Sequence, residues 1–394
     1  MDSQIFNANV SASDLDEETK KKLKGDTIGD TLYSESFVLK TLMTLTSTKL
    51  ELTEDLEQDL CFLWDMTVEK DVCEYLFDVK YPSIVCEVLP ACEEARLIEI
   101  LIGTLANTLL ADCDKSISES EVETVLKEFE TSDSAVLVQL MRFLEALAHG
   151  APHLVNLLDE NRFIFILNYS ENEELITQTI RTLVRVTKGF NLSEVKLSVE
   201  LVMATMEGFK TVFLLSSDLD NKESKAGVKT FLVLMANYCA YAQQFHKEDV
   251  CSCISDSEVI RDVLSEVIKY FSEETNLFPV TDDFCDCISS FNVIISTGGV
   301  SMVSSELFKE IFLNLLQIFH YLHKARQECV DSFNVVLELL GLTFHILDQE
   351  IVLNELKHVP YKRGIVVLNC LKENSRTFDF DICDKLKFMY ANFK

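Results

Sequence analysis

Two pairs of cysteines have the residue type for binding a metal ion. Cys251 and Cys253, and likewise Cys285 and Cys287, are each separated by a single residue. Structural zinc sites use cysteine pairs with about two to four residues between them. With one residue between them, the two side chains of a helix point in different directions. We therefore expect these residues to be free thiols rather than metal ligands.

Histidine pairs are the other candidate metal ligands. His149 and His153 are four residues apart, but Gly-Ala-Pro lies between them and breaks the helix that would align them. His320 and His323 share one helix face without an evident third ligand. The sequence contains no HExxH motif. We predict no metal site and no bound cofactor.

A cysteine nucleophile is the remaining catalytic hypothesis. Such a nucleophile needs a base and an orienting group close in space. Cysteine and histidine are both present, yet the chain has no GxSxG sequence, no dinucleotide-binding fingerprint and no kinase motif set. We predict no catalytic residues and a non-enzymatic protein, and we keep a thiol-dependent enzyme as an alternative.

The charge and the cysteines constrain partners and compartment. The formal net charge is -30, so the chain repels nucleic-acid phosphates and anionic membranes. We expect other proteins as partners, including basic segments, although the charge also serves simply to keep an apolar protein soluble. The 13 cysteines, without a recognisable signal peptide, favour reduced thiols in the nucleus or the cytoplasm rather than secretion.

The composition favours long helices joined by short turns. The chain has 11 glycines and 5 prolines in 394 residues, and 48% of its residues are hydrophobic. The apolar residues of 96–110 recur with helical spacing and cover most of the helix surface. Gly103 lies in the middle of this helix, where glycine costs about 1 kcal/mol relative to alanine. A close crossing by a neighbouring helix would justify that cost.

The same pattern predicts helices along the rest of the chain, and pairs of helices recur at very roughly 40-residue spacing. The predicted ranges are 33–45, 53–79 with an interruption near residue 67, 84–89, 96–110, 118–129, 134–149, 152–167, 171–190, 193–215, 223–245, 256–271, 281–295, 304–325, 330–348, 361–371 and 380–393. The short apolar run 364–368 is the segment most like a strand. We predict an all-α, armadillo/HEAT-like α-solenoid of the ARM-type superhelix class over residues 25–394. A disordered tail, 1–24, precedes it, and Gly298-Gly299 is the candidate seam.

Two asparagines mark a candidate protein-binding groove. The sequence GTLAN at 103–107 resembles the third helix of an armadillo repeat, in which an asparagine bonds the backbone of an extended peptide; 233–237 gives a second match. The resemblance implies that Asn107 and Asn237 line a groove, with Trp64 as its support. The alternative is that each asparagine caps or bonds a neighbouring helix and that Trp64 anchors the core. Residues 140–145 and 181–184 lack the corresponding asparagine.

Residues 25–111 resemble the serum amyloid A-like protein 1 family, also called synoviocyte proliferation-associated. The matching segments are GDTIG at 25–29, TLYS at 31–34, LWDM at 63–66, DV at 71–72, RL at 96–97, EI at 99–100 and GTLAN at 103–107. The resemblance implies an armadillo-like fold and an intracellular, nuclear protein. It also implies a link to cell proliferation and no catalytic residues. We predict a protein-protein interaction scaffold or adaptor. A transport adaptor that carries basic cargo in an acidic groove is the alternative.

Overall fold

Helices account for most of the backbone that the structure describes. The computed structural model describes residues 26–47, 52–111, 117–150, 159–188, 197–214, 221–298, 305–378 and 380–393. Within these ranges there are 20 α-helices, and the only β-type pairing is an isolated bridge between Thr27 and Ser34. The predicted all-α helical-repeat class is therefore confirmed, and the strand-like run 364–368 lies inside a helix. The predicted tail, 1–24, lies outside the described residues.

The chain divides into two compact units, which are described separately. The first comprises Met1–Arg162 and Ser170–Glu194, and the second comprises Phe163–Tyr169 and Val195–Lys394. Whether residues 25–394 act as one domain stays a prediction, and Gly299 of the candidate seam lies outside the described residues. No helix in the described ranges is long and apolar enough to cross a bilayer.

Eight helices belong wholly to the first unit, and one more begins in it. They are α1 (Glu35–Ser47), α2 (Glu54–Met66), α3 (Lys70–Asp78), α4 (Tyr81–Val88), α5 (Ala95–Leu110), α6 (Glu119–Leu126), α7 (Ser134–Gly150), α8 (Glu160–Tyr169), which continues into the second unit, and α9 (Glu173–Lys188). Helices α5, α7 and α9 begin at residues 95, 134 and 173, a constant interval of 39 residues. Helix α7 packs against both α5 and α9, and α2 packs against α5. The predicted recurrence near 40 residues is confirmed in this unit.

Helix α2 crosses α5 closely at Gly103, in the middle of α5. A Cβ atom built on Gly103 would lie 2.2 Å from Cζ2 of Trp64. The half-buried indole therefore occupies the space that any larger residue would need. The close crossing predicted from the mid-helix glycine is confirmed, and Trp64 supplies the contact.

Local capping fixes the ends of α2. The Thr53 hydroxyl accepts a hydrogen bond from the Leu56 backbone N–H at 3.3 Å, which satisfies one of the exposed amides of the first turn. The helix ends at Thr67, whose hydroxyl donates back to the Trp64 carbonyl. The interruption predicted near residue 67 is therefore confirmed, and α3 begins three residues later.

The second unit contains helices that pack mainly on near neighbours in the sequence. They are α10 (Val199–Phe209), α11 (Lys222–Gln244), α12 (Glu248–Ser255), α13 (Glu258–Phe271), α14 (Glu274–Leu277), α15 (Asp282–Gly298), α16 (Ser305–Lys324), α17 (Val330–Ile346), α18 (Gln349–Lys357), α19 (Tyr361–Asn374) and α20 (Cys383–Asn392). Helix α11 packs on α15, α15 on α17, and α16 on both α13 and α17.

Three short helices of the second unit were not predicted. Helix α12 has 8 residues, α14 has 4 and α18 has 9, so none holds enough turns for a clear periodic pattern. Burial stabilises them instead: α12 inserts Val250 and Ile254 into the core, and α18 inserts Val352 and Leu356. Helices this short depend on tertiary packing rather than on propensity.

Candidate protein-binding site

A row of hydrogen-bonded polar side chains runs from the end of α2 across α5 and α7 to α9. We call this row the polar ladder. Its residues are Thr67, Asn107, Gln139, Arg142, Glu145, Gln178 and Arg185. Helix α7 contributes three of these residues: Arg142 and Gln139 belong to the part that bonds to α5, and Glu145 bonds to α9.

Asn107 joins three helical segments at the first part of the ladder. Its Nδ2 donates to Oγ1 of Thr67 at 2.9 Å, and its Oδ1 accepts from Arg142 at 2.7 Å. The other terminal nitrogen of Arg142 donates to Oε1 of Gln139 at 2.8 Å on the same helix. The amide of Asn107 is thus bonded on both sides, and Arg142 is held in a defined orientation.

Glu145 forms the second part of the ladder. Its carboxylate accepts from Nε2 of Gln178 at 2.8 Å and lies 3.5 Å from Nε of Arg185. Beneath this surface, the buried Thr182 hydroxyl donates to the Met141 carbonyl at 2.9 Å and ties α9 to α7. The two helices are therefore linked both within the core and along the ladder.

The ladder contains two arginines and one glutamate, and a further arginine lies on α5. Arg96 on α5 lies 2.8 Å from the carboxylate of Glu57 and 2.7 Å from that of Glu99. Hydrogen bonds to Glu57 and Glu99 raise the pKa of Arg96 above its ordinary value. With Arg142 in the ladder, the face presents cations as well as carboxylates, despite the strongly acidic composition of the chain.

The three predicted groove residues fall in different settings. Asn107 is a member of the polar ladder, and Trp64 lies beside it on α2, which packs against α5. Asn237 is a half-buried residue of α11 in the second unit. Residues 140–145 lack the corresponding asparagine, and Arg142 of this segment bonds directly to Asn107. A repeat motif does not reveal this pairing, because it joins two different helices.

The cysteine pairs lie on separate helices. Cys251 and Cys253 are on α12, and Cys285 and Cys287 are on α15. Across the ranges that the structure describes, no group of three or more histidine, cysteine, aspartate or glutamate side chains is arranged to hold a metal ion. Cys285 lies 3.1 Å from the hydroxyl of Ser332 on α17, so it has a packing environment rather than a ligand environment.

Burial disfavours the thiolate form of eight of the described cysteines. It raises the pKa of Cys86 to about 11 and the pKa values of Cys239 and Cys287 to about 12. Burial is also the first cause of the raised pKa values of Cys61, Cys92, Cys251, Cys253 and Cys370. A thiol acts as a nucleophile only when it is deprotonated. These environments are the opposite of those that activate a catalytic cysteine.

We therefore expect slow alkylation of the native protein. With iodoacetamide at neutral pH, the buried thiols Cys239 and Cys287 should react far more slowly than glutathione, because neither access nor ionisation favours them. Mass spectrometry of quenched samples would give the rate for each cysteine. The unfolded chain is the control, in which all thiols should react at similar rates. A native thiol that reacts far faster than the exposed Cys383 would revive the thiol-dependent enzyme.

Sequence comparison finds curated relatives that match part of the chain. The zebrafish (Danio rerio) protein saal1 is 36% identical over 110 residues, which is 25% of this chain and 24% of that protein. Human (Homo sapiens) SAAL1 is 30% identical over 204 residues, covering 45% of this chain and 42% of that protein. The chain therefore matches less than half the length of these relatives. The partial matches confirm the resemblance predicted from residues 25–111.

Other comparisons add little to this result. No family model matches the chain. One solved structure, described as an engineered protein, aligns with 91% of this chain and 98% of its own at 17% sequence identity and a TM-score of 0.40. The all-α class rests on the helices described above.

Proposed function

We propose that this chain is a non-enzymatic scaffold or adaptor for protein-protein interaction. The partial similarity to the SAAL1 proteins supports this proposal. The polar ladder is the proposed binding surface, and an extended segment of another protein is the proposed occupant. The single observation that supports this most strongly is the row of polar side chains across four helices of one unit. The accessible members of the row, Arg142, Glu145 and Arg185, can offer donors and acceptors to a peptide.

The arginines of the ladder would make the direct contacts. A guanidinium carries five N–H donors in a rigid fork, and Arg142 directs two of its nitrogens to Asn107 and Gln139. Its remaining N–H groups, with those of Arg185, can donate to backbone carbonyls or carboxylates of a partner. Leu110 on α5 is 40% exposed one turn beyond Asn107 and would supply an apolar anchor. In this role Asn107 orients Arg142, and Trp64 supports the α2–α5 contact beneath.

The proposal can be tested by site-specific photocrosslinking in cells. A benzoylphenylalanine at position 110 should give a discrete adduct, and Arg185→Glu should reduce its yield about tenfold because it reverses a charge on the ladder. Arg185 is an exposed residue, so the fold should persist. Lys127→Glu makes the same charge change on an exposed residue of the unit outside the ladder and should leave the yield unchanged.

Two results would count against the ladder as the binding surface. One is an equal adduct yield from Arg185→Glu and wild type, provided that both are folded by circular dichroism. The other is the same set of adducts when the photocrosslinker is placed at Lys127. Asn107→Ala should weaken the adduct as well, since it removes the group that holds Arg142 in place.

A transport adaptor that binds basic cargo is the second candidate. The formal net charge of -30 favours it, because an acidic surface accelerates encounter with a basic segment. Its binding should weaken steeply as salt rises, since exposed charges are screened over about 8 Å at physiological ionic strength. The ladder, with two arginines and one glutamate, is not acidic, and this favours the scaffold, whose binding should depend less on salt. We propose a nuclear or cytoplasmic location and an association with cell proliferation, both from the family resemblance.

A further inference from the structure

A cleft of about 590 Å³ lies between α16 and the junction of α18 with α19 in the second unit. Its volume is in the range of small-molecule sites, which run from about 300 to 1,000 Å³. Phe319 and Val367 form apolar parts of the wall, and Gln317 and Tyr321 add polar groups at the rim. The Gln317 amide donates to the Tyr321 hydroxyl at 3.0 Å, which orients both side chains.

The charge of this cleft is opposite to that of the chain. Lys324, Lys362 and Arg363 line it, together with His320, His323 and His358. None of its sixteen lining residues is acidic, although aspartate and glutamate make up 65 of the 394 residues of the chain. Lys324, Lys362 and Arg363 are exposed side chains, and together they give the cleft a local positive charge that attracts an anionic ligand.

The N-terminus of α19 adds backbone donors to the same cleft. The helix begins at Tyr361, directly after Pro360, and no side chain caps it. Its first turn contains no acidic residue, so the positive end of the helix dipole is not compensated locally. Backbone N–H groups at such an end bind anions, phosphate above all.

The cationic side chains of the cleft lie around His320. Its Nε2 is buried and has no hydrogen-bond partner in the described part of the chain. Burial lowers the pKa of His320, and the neighbouring charges of Arg363, Lys324 and His323 lower it further, with Glu274 acting in the opposite direction. Cations from α16 and α19 therefore act on one imidazole that keeps an unused polar atom.

We propose that this cleft binds a small phosphorylated ligand. The phosphate oxygens would accept hydrogen bonds from Arg363, Lys362 and the first backbone amides of α19. The rest of the ligand would lie against the apolar wall and the His320 ring. The guanidinium fork matches a phosphate through two parallel hydrogen bonds, which is why phosphate fits the arrangement better than a monovalent halide. This site is independent of the polar ladder, and its test does not depend on the proposed scaffold function.

Calorimetric titration of the full chain with inorganic pyrophosphate tests the site. The double variant Lys362→Ser with Arg363→Gln should raise the Kd at least about tenfold, because it removes two charge-assisted donors. Both residues are exposed, so the melting temperature should remain near that of wild type. Arg376→Gln, an exposed arginine of the same unit that does not line the cleft, should leave the Kd unchanged.

Two further probes identify the source of the phosphate. Tighter binding of ATP than of pyrophosphate would support a soluble nucleotide. Binding to vesicles that contain phosphatidylinositol 4,5-bisphosphate, with weak binding of ATP, would support a lipid headgroup with the same phosphate chemistry. The proposal is overturned if all three probes fail to bind at millimolar concentration. It is also overturned if the double variant binds them as tightly as wild type does.

Discussion

Gly103→Ala should destabilise the first unit by about 1 kcal/mol, although alanine is the better helix former. In a free helix the change would be worth about 1 kcal/mol in favour of alanine. Here the new Cβ would lie 2.2 Å from Cζ2 and 2.6 Å from Cε2 of Trp64. The indole is a rigid plane, so α2 and α5 must separate, and overpacking of this kind costs about 1–3 kcal/mol. Urea unfolding followed by Trp64 fluorescence measures the loss, since the chain has one tryptophan.

A second background separates the steric effect from other causes. In Trp64→Leu the indole is absent, so Gly103→Ala should become neutral or stabilising there, as propensity alone predicts. Unfolding of these variants is followed by circular dichroism, because the fluorophore is gone. An equal loss from Gly103→Ala in both backgrounds would show that the contact with Trp64 is not what requires glycine.

Lys385→Met should destabilise the second unit by roughly 2 kcal/mol. The half-buried ammonium donates to the carbonyls of Phe344 and His345 at 2.8 Å each, and to the carbonyl of Leu347 as well. These groups lie at the end of α17, where carbonyls have no partner within the helix. Methionine keeps the packing of the aliphatic stem but leaves the carbonyls without their charged donor. Burial of the ammonium offsets part of what these bonds contribute, so the expected net loss is about 1.5–3 kcal/mol. Thermal unfolding by circular dichroism gives the loss.

Lys387 offers a matched control on the same helix. It lies two residues after Lys385 and pairs only with Asp384 among the described residues, at 2.7 Å, where both side chains are largely exposed. Solvent screens an exposed pair, so Lys387→Met should leave the unfolding temperature essentially unchanged. Similar losses from both variants would mean that α20 is sensitive to any loss of positive charge, and the specific capping role of Lys385 would be wrong.

The polar ladder and the basic cleft also differ in how their proposed ligands would affect stability. A ligand that binds only the folded state raises its stability by mass action. A phosphorylated ligand should therefore protect the second unit, which contains the cleft, and a peptide on the ladder should protect the first. Hydrogen exchange followed by mass spectrometry resolves the two units and can assign each effect to its own surface.

The fold class follows from local information in the chain. Few breakers, a high apolar content and helical spacing are properties of short windows, so they predict helices without knowledge of the packing. The same holds for the cap at Thr53 and the end of α2 at Thr67, which depend on hydrogen bonds within a few residues. Gly103 is an exception, because a residue that is unfavourable within its own helix indicates a close contact with another helix. The structure identifies that contact as Trp64.

The candidate sites depend on contacts that no local pattern encodes. Asn107 could be selected from its motif, but its pairing with Arg142 joins residues 35 apart and depends on how α5 packs on α7. The basic cleft joins Lys324 at the end of α16 to Arg363 at the start of α19. The sequence pattern shows only the histidine pair of α16, because the two cations are far apart in the chain. The chain alone therefore determined that amphipathic helices must cover one another's apolar faces. Only the tertiary structure decided which polar residues meet, because that depends on helix crossings set by the packing of whole side chains.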